Sequence, residues 1–590
     1  MNIFRAVFLL NSLSCSRGQY IKNILHHTKL GKIVGEHVLN GTQAGILKFL
    51  NIPYAKPPID ELRFAKPKQY GAWNETRNGT IPGPVCIQLS DNPYFIGRMS
   101  EDCLNLNIYV PYPLKHTHKR AVMIWIHGGG YIFGSGSYYD GSMLALTGDV
   151  IVVTLNYRLG VLGFYCLDEV FVKGNYGLWD QMLALQWVKD NIEDYGGDPK
   201  KVTVFGESAG GFSVGLLSLI PKNKGLFHRI ILQSGTANSP LAIGSTRKSS
   251  DIITDKVGCN GNTKPELIIK CMRNLSVDYI MHAVSNFAKE SLTSIHRLII
   301  NVFTPVVDGE LFKMSSNKIF QNPLSEEYMF FKSLDVMVGN CDMEGSLYLE
   351  TSEVLTAYGL NITEGIPRDF FCNHLIPTAV ADHFNDEPSV MDAMCKEYGE
   401  NNNIILQSLS LLEWYSDLYF IAPSLSTLLA HSSGNTKNSR RYQFILTERL
   451  PVFLGSSTPP WFKGSAHTTD LMFLFFIEDL GSVDPNSEYR PKDSNFMLST
   501  IMRKYWANFA KTGNPNYDDL PDWPPFNSST QAYVQFSGGV TARTKYRQQK
   551  MDFWLKVIPN LFLNSQQTLL VCRYSIYIWC MFNLCCPLLS

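Results

Sequence analysis

Six short runs of apolar, largely β-branched residues recur along the chain, at positions 121–126, 150–155, 202–205, 230–232, 336–338 and 442–446. Runs this short and this uniformly apolar suit strands buried on both faces, and such strands belong to parallel sheets whose crossovers are helices. The intervening sequence supplies helical patterns. The best lies at 178–195, where Leu178, Met182, Leu185, Val188 and Ile192 follow three- and four-residue steps until Gly196-Gly197-Asp198-Pro199 stops them. Strands alternating with helices predict an α/β fold, a large and mostly parallel central sheet with helices on both faces. Functional groups in such a sheet gather at the carboxyl ends of the strands.

Directly after the run at 202–205 comes Gly206-Glu207-Ser208-Ala209-Gly210. A serine between two glycines, at the end of a strand and the start of a helix, is the pattern of a nucleophile elbow: a sharp turn that holds the hydroxyl exposed beside the helix N-terminus. A second match, Gly211-Phe212-Ser213-Val214-Gly215, has no strand of its own and falls where the helix after the elbow should run, so Ser213 is read as a helix residue. After the run at 121–126 comes His127-Gly128-Gly129-Gly130-Tyr131. A loop without side chains lets backbone N–H groups approach a developing oxyanion, and Gly129 and Gly130, joined by Ala209, are the natural donors.

A serine needs a histidine to take its proton and a carboxylate to orient that histidine, in the chain order nucleophile, acid, base. His296, His374, His383, His431 and His467 are the available histidines; His467 alone sits in a small-residue loop, Gly464-Ser465-Ala466-His467-Thr468-Thr469, able to reach across the sheet ends. For the acid, Glu344 follows the run at 336–338, and Asp342 competes with it on spacing alone.

These motifs span residues 49–467 without a Pro/Gly/Ser linker between them, so one large domain, 28–560, is expected despite a length of 590 residues. Net charge is zero and no basic stripe is present, which argues against nucleic acid as a partner. Residues 1–16, with Arg5 before an apolar stretch, read as a signal peptide. Sequons at Asn40, Asn74, Asn78, Asn274, Asn361 and Asn527 agree with a secreted, glycosylated protein. Thirteen cysteines include no Cys-x-x-Cys doublet, so no metal is expected, and nothing implies a cofactor. The apolar, cysteine-containing tail at 561–590 is a candidate for membrane attachment.

Further segments carry a resemblance. The chain resembles the type B carboxylesterases, the group that includes cholinesterases and bile-salt-activated lipase, through Asn51-Ile52-Pro53-Tyr54-Ala55-Lys56-Pro57-Pro58, Ser100-Glu101-Asp102-Cys103-Leu104-Asn105-Leu106-Asn107, Gly174-Asn175-Tyr176-Gly177-Leu178-Trp179-Asp180-Gln181 and the elbow itself. The resemblance implies an α/β-hydrolase fold, a serine carboxylic ester hydrolase working through an acyl-enzyme, and the triad Ser208, Glu344 and His467. It also implies disulfides Cys86–Cys103 and Cys259–Cys271, an ion pair of Arg63 with Glu101, and supporting roles for Glu207 and Ser234. The segments around Met343-Glu344-Gly345 and 505–515 look nearest to bile-salt-activated lipase.

Departures from the family bear on substrate. No tryptophan lies between Ile87 and Asp102, where cholinesterases hold a quaternary ammonium by cation–π attraction. The acyl-pocket candidates Leu241, Ile299 and Asn301, with Phe303, are slimmer than the aromatics common at those places. Apolar carboxylic esters are the expected substrates. The rival expectation is an adhesion or binding protein of the same fold without catalysis.

Overall fold

The computed structural model describes residues 19–40, 44–89, 97–114, 118–167, 170–244, 246–261, 264–290, 303–350, 352–399, 402–434, 439–450, 459–478, 491–517 and 519–562. The expected signal peptide, the tail beyond residue 562, and Ile299 and Asn301 lie outside the described residues.

One sheet of 13 strands organises the chain. Its seven central strands run parallel, in the spatial order Ile151–Leu155, Arg120–Ile126, Gly197–Glu207, Arg229–Gln233, Asp335–Cys341, Arg441–Leu446 and Ala532–Phe536. The six apolar runs supply six of these seven strands, and Arg120–Ile126 and Ile151–Leu155 are buried at every position. Five antiparallel strands flank them: Gln19–Thr28, Gly31–Asn40, Ala44–Pro53 and Asn105–Tyr112 on one side, Val540–Thr544 on the other; the thirteenth strand, Arg77–Asn78, is a short piece pairing parallel with Gly31–Asn40. The outermost strand Gln19–Thr28 mixes polar with apolar residues because it meets solvent, as exposed Ile21 and Leu25 show, and antiparallel pairing tolerates that, whereas Asn105–Tyr112, beside the parallel strands, is buried at all but its last position. Helices cover both faces, making this an α/β-hydrolase fold.

Strand Arg120–Ile126 lies between Ile151–Leu155 and Gly197–Glu207, so the chain steps to one side and then crosses back. The carboxyl ends of Arg120–Ile126 and Gly197–Glu207 therefore flank a topological switch, where parallel sheets open a crevice. The first of the two crossing helices beside it, Tyr176–Asn191, continues as a 3₁₀ turn, Ile192–Tyr195, and ends at Gly196 with φ 79°. Two polar side chains on its buried faces are bonded across the core: Asp180 accepts from Arg158 Nε at 2.8 Å and Nη2 at 2.7 Å, and Gln181 Nε2 donates to Ser213 Oγ at 3.1 Å. Removing one partner of a buried pair such as Arg158–Asp180 typically costs about 3–5 kcal/mol.

Disulfides join Cys86 to Cys103 and Cys259 to Cys271, and a third joins Cys372 to Cys395. Arg63 grips Glu101 in a fork, Nε to Oε1 at 2.6 Å and Nη2 to Oε2 at 2.7 Å, while its Nη1 donates to the carbonyl of Leu275 at 2.7 Å. That fork ties the first disulfide loop to the segment just beyond the second.

Candidate active site

Ser208 is the N-cap of helix Ala209–Leu217 and carries φ 55° and ψ −123°, a backbone conformation that strains a residue with a Cβ by about 1–3 kcal/mol. Neighbouring backbone holds it there: Ser208 N donates to Gln233 O at 2.9 Å, and Phe212 N donates to Ser208 O at 2.8 Å. The flanking glycines allow the close approach behind this turn. A Cβ on Gly210 would sit 2.0 Å from Ile126 O, and one on Gly206 would sit 2.6 Å from the Gly210 carbonyl. With both glycines bare, the helix presses onto the strand ends and leaves Ser208 partly exposed at their rim. Ser213 is buried inside the same helix, as its sequence context predicts.

The glycine run after Ile126 lies against this elbow. A Cβ on Gly128 would meet Glu207 O at 2.7 Å and Ser208 Cβ at 3.1 Å. Gly129, Gly130 and Tyr131 follow with φ of 98°, 60° and 63°, and Ile132 N and Phe133 N close the turn on Gly129 O. Without side chains at Gly128, Gly129 and Gly130, the backbone N–H groups of this turn are open to close approach by an anion. His127 anchors the start of the loop. Its ring stacks on Tyr157 with centroids 4.5 Å apart and its Nδ1 lies 2.8 Å from Gly128 O, while burial pushes its pKa down to about 4.

Glu344 and His467, 123 residues apart, meet in the interior with Oε2 and Nδ1 separated by 2.5 Å. The other oxygen of Glu344 accepts from Cys341 N at 2.9 Å and Asn340 Nδ2 at 3.3 Å. The competing carboxylate does different work: Asp342 Oδ1 accepts from Ser465 N at 2.6 Å and fastens the histidine loop to the acid loop. Met343 N donates to Ser465 O at 3.2 Å, and His467 N donates to Ser346 Oγ at 2.8 Å, so four contacts fix one loop on the other. The other described histidines on the candidate roster lie elsewhere. His431 bonds Leu334 O, His383 meets Tyr419, and His374 packs on Phe370. His296 lies outside the described residues.

Nε2 of His467 lies 3.2 Å from Glu207 Oε1, the carboxyl next in the chain to Ser208. Burial opposes a charge on His467, but Glu207 and Glu344 together pull its pKa up from 6.5 to about 9. Glu207 itself is pushed well above the carboxylate range, first by burial and then by Asp470 and Glu344, with His467 acting against them. A proton on Glu207 removes its share of the pull on His467 and favours a neutral ring facing a single carboxylate, Glu344.

Several surrounding residues escaped the sequence reading. Asp470, whose pKa burial raises to about 6, accepts from Gln233 Nε2 at 2.7 Å, and Gln233 Oε1 accepts from Trp506 Nε1 at 3.0 Å. The Phe420 ring lies 5.1 Å from the His467 ring and stacks on Phe212 of the elbow helix at 6.1 Å. Partners 237 and 273 residues apart leave no local pattern, so no sequence signal pointed to them. Of the residues read as supporting, Ser234 is buried with φ 48° and donates its N–H to Gly339 O at 2.8 Å. Leu241 and Phe303 are buried, on segments joined by Gly244 N to Pro305 O at 3.1 Å.

Comparison with known proteins finds relatives along nearly the whole chain. The model of the carboxylesterase family matches residues 22–554. An acylcarnitine hydrolase of Mus musculus is 32% identical over 552 residues, covering 91% of both chains. Carboxylesterase 5A of Mus musculus is 33% identical over 581 residues, covering 93% of this chain and 92% of that one. A cocaine esterase of Homo sapiens is 32% identical over 568 residues, covering 93% and 94%.

Proposed function

Because the chain belongs to the carboxylesterase family and is a carboxylic ester hydrolase, we propose that it works through an acyl-enzyme on Ser208, with His467 as base and Glu344 as its orienting acid. The observation that carries this reading is the buried Glu344–His467 contact of 2.5 Å beside a strained serine elbow. With Nδ1–H held by Glu344, Nε2, which lies 3.2 Å from Glu207 Oε1, is the atom that takes the Ser208 proton as Oγ attacks the ester carbonyl. The tetrahedral oxyanion falls among the N–H groups of Gly129, Gly130 and Ala209, each donor of this kind being worth about 2.7–4 kcal/mol in the transition state. His467 then returns the proton to the departing alcohol, and water reverses the steps to release the acid.

The substrates we assign are apolar carboxylic esters in place of choline esters. Supporting this are the missing tryptophan between Ile87 and Asp102 and the modest side chain of Leu241, with Ile299 and Asn301 slim in sequence. The names of similar proteins point to esters of different alcohols, acylcarnitine and cocaine among them. The test compares kcat/KM for p-nitrophenyl esters from acetate to laurate with that for butyrylthiocholine. Values rising with acyl length and a poor choline ester are expected. Faster turnover of the choline ester than of p-nitrophenyl butyrate would overturn the assignment.

Secretion is the location that best suits the surface. Side chains of Asn74, Asn78, Asn274, Asn361 and Asn527 are all exposed, as glycosylation requires. A peptide N-glycosidase mobility shift of protein recovered from culture medium is the expected result; protein retained unglycosylated in the cell would contradict it. Among the described residues no helix is long and apolar enough to cross a membrane.

A further inference from the structure

The acid loop does not support itself. Glu344 opens a 3₁₀ helix, Glu344–Glu350, and the first N–H groups of any helix have no partner within it. One of them, Gly345 N, donates to the side chain of Ser416, at 2.8 Å, on a helix 71 residues away in sequence. Ser416 ends the helix Ile404–Ser416 and is fully buried. Its hydroxyl proton is committed, because Oγ donates to Leu412 O at 2.7 Å, and this leaves a lone pair directed at Gly345 N–H. The approach is tight on the other side as well. A Cβ on Gly345 would lie 2.1 Å from Leu412 O, so the acid loop can reach this helix only with glycine there.

Beyond Ser416 the helix widens into a π turn, Asp417–Ile421, and that turn carries Phe420, whose ring packs on His467. Such turns occur often at functional sites. The turn is anchored at its first residue. Buried Asp417 accepts from Tyr398 Oη at 2.8 Å and pairs with Arg547 at 3.0 Å, and Tyr398 in turn accepts from Trp554 Nε1 at 2.8 Å. One rigid element thus touches the acid through Ser416 and the base through Phe420.

We propose that Ser416 is a positioning residue for ester hydrolysis, holding the Gly345 peptide so that Glu344 meets His467 at hydrogen-bond distance. The inference rests on the assignment of Glu344 and His467 made above. Ser416 touches neither substrate nor reacting atoms, and its effect passes through Glu344 alone. A residue acting in this way lowers kcat and leaves KM unchanged, since the loss appears only as charge develops on the imidazole.

The experiment is a double-mutant cycle of Ser416→Ala and Glu344→Gln on the full chain, with Ser416→Thr as the conservative rescue. Folded protein is quantified by near-ultraviolet circular dichroism, and folding is checked by thermal melts. Loss of one such hydrogen bond predicts a fall in kcat of about five- to tenfold in Ser416→Ala at unchanged KM, largely restored in Ser416→Thr. In the Glu344→Gln background the same alanine should change kcat by less than about twofold, because interacting residues are not additive. An equal fall in both backgrounds, or an unchanged kcat in Ser416→Ala, overturns the proposal while leaving the acid assignment intact. If Glu344→Gln itself retains wild-type kcat, it is the assignment of the acid that fails.

Discussion

Replacing Glu344 by glutamine changes one atom and should remove nearly all activity. In the native site Oε1 accepts from both Cys341 N and Asn340 Nδ2, at 2.9 and 3.3 Å, while Oε2 faces His467 Nδ1 at 2.5 Å. Glutamine must keep its oxygen toward the two donors, for the reverse flip would set an amide NH₂ against Cys341 N–H in a fully buried site. The amide nitrogen then faces Nδ1, and only a ring with a bare Nδ1 can accept from it. The proton is forced onto Nε2, and the ring can no longer take one from Ser208. The same tautomer inversion in a serine protease triad costs about 10⁴-fold in kcat, roughly 5.5 kcal/mol of barrier, and that is the magnitude expected. The assay is steady-state hydrolysis of p-nitrophenyl butyrate, normalised to folded protein by near-ultraviolet circular dichroism, with KM expected to stay near the native value. A variant that keeps kcat within about tenfold of native would refute the tautomer argument.

Other outcomes follow from the same contacts. Ser213→Ala should leave kcat unchanged and lower stability by about 1–3 kcal/mol in urea titrations, since it strips buried Gln181 Nε2 of its acceptor; loss of activity would reinstate the second elbow match. His431 is buried, its pKa pushed by burial from 6.5 down to about 3, so between those values the unfolded chain binds a proton that the fold refuses. Its contribution therefore makes stability fall as pH drops below about 6.5, by up to about 1.4 kcal/mol per pH unit. His431→Gln should flatten the pH dependence of the urea midpoint in that window, and an unchanged slope would count against it. Serine at both Cys259 and Cys271 opens a bridge spanning 12 residues; about 3 kcal/mol of stability should go with it, read as a lower denaturation midpoint, while kcat on small esters persists.

Much of the middle of this molecule was legible in the sequence because burial there is total. A strand such as Asp335–Cys341, covered on both faces, carries an unbroken apolar run, Val336-Met337-Val338, and that signal survives without any partner being known. The elbow was legible for a similar reason, since the helix can approach Ile126 O only through Gly210. The flanking strands were not read, because Gln19–Thr28 mixes His, Lys and Asn with exposed Ile21 and Leu25. Spacing could not choose between Asp342 and Glu344; only the fold separates the carboxylate that holds a loop from the one that meets His467. The pair Cys372–Cys395 was equally silent, because a separation of 23 residues carries no local pattern. The Asp470–Gln233–Trp506 chain and the Ser416 prop are products of tertiary structure, joining elements whose separation erases any periodic trace.

The central claim is that one serine, Ser208, forms the acyl-enzyme. Its most direct test is to quench p-nitrophenyl butyrate hydrolysis in acid within the pre-steady-state burst and to map the butyryl group by peptide mass spectrometry. One butyryl group per active site, on Ser208 and absent from Ser208→Ala, is the predicted result. A burst of full amplitude in Ser208→Ala, or an acyl group found on Ser213 or any other residue, would contradict it.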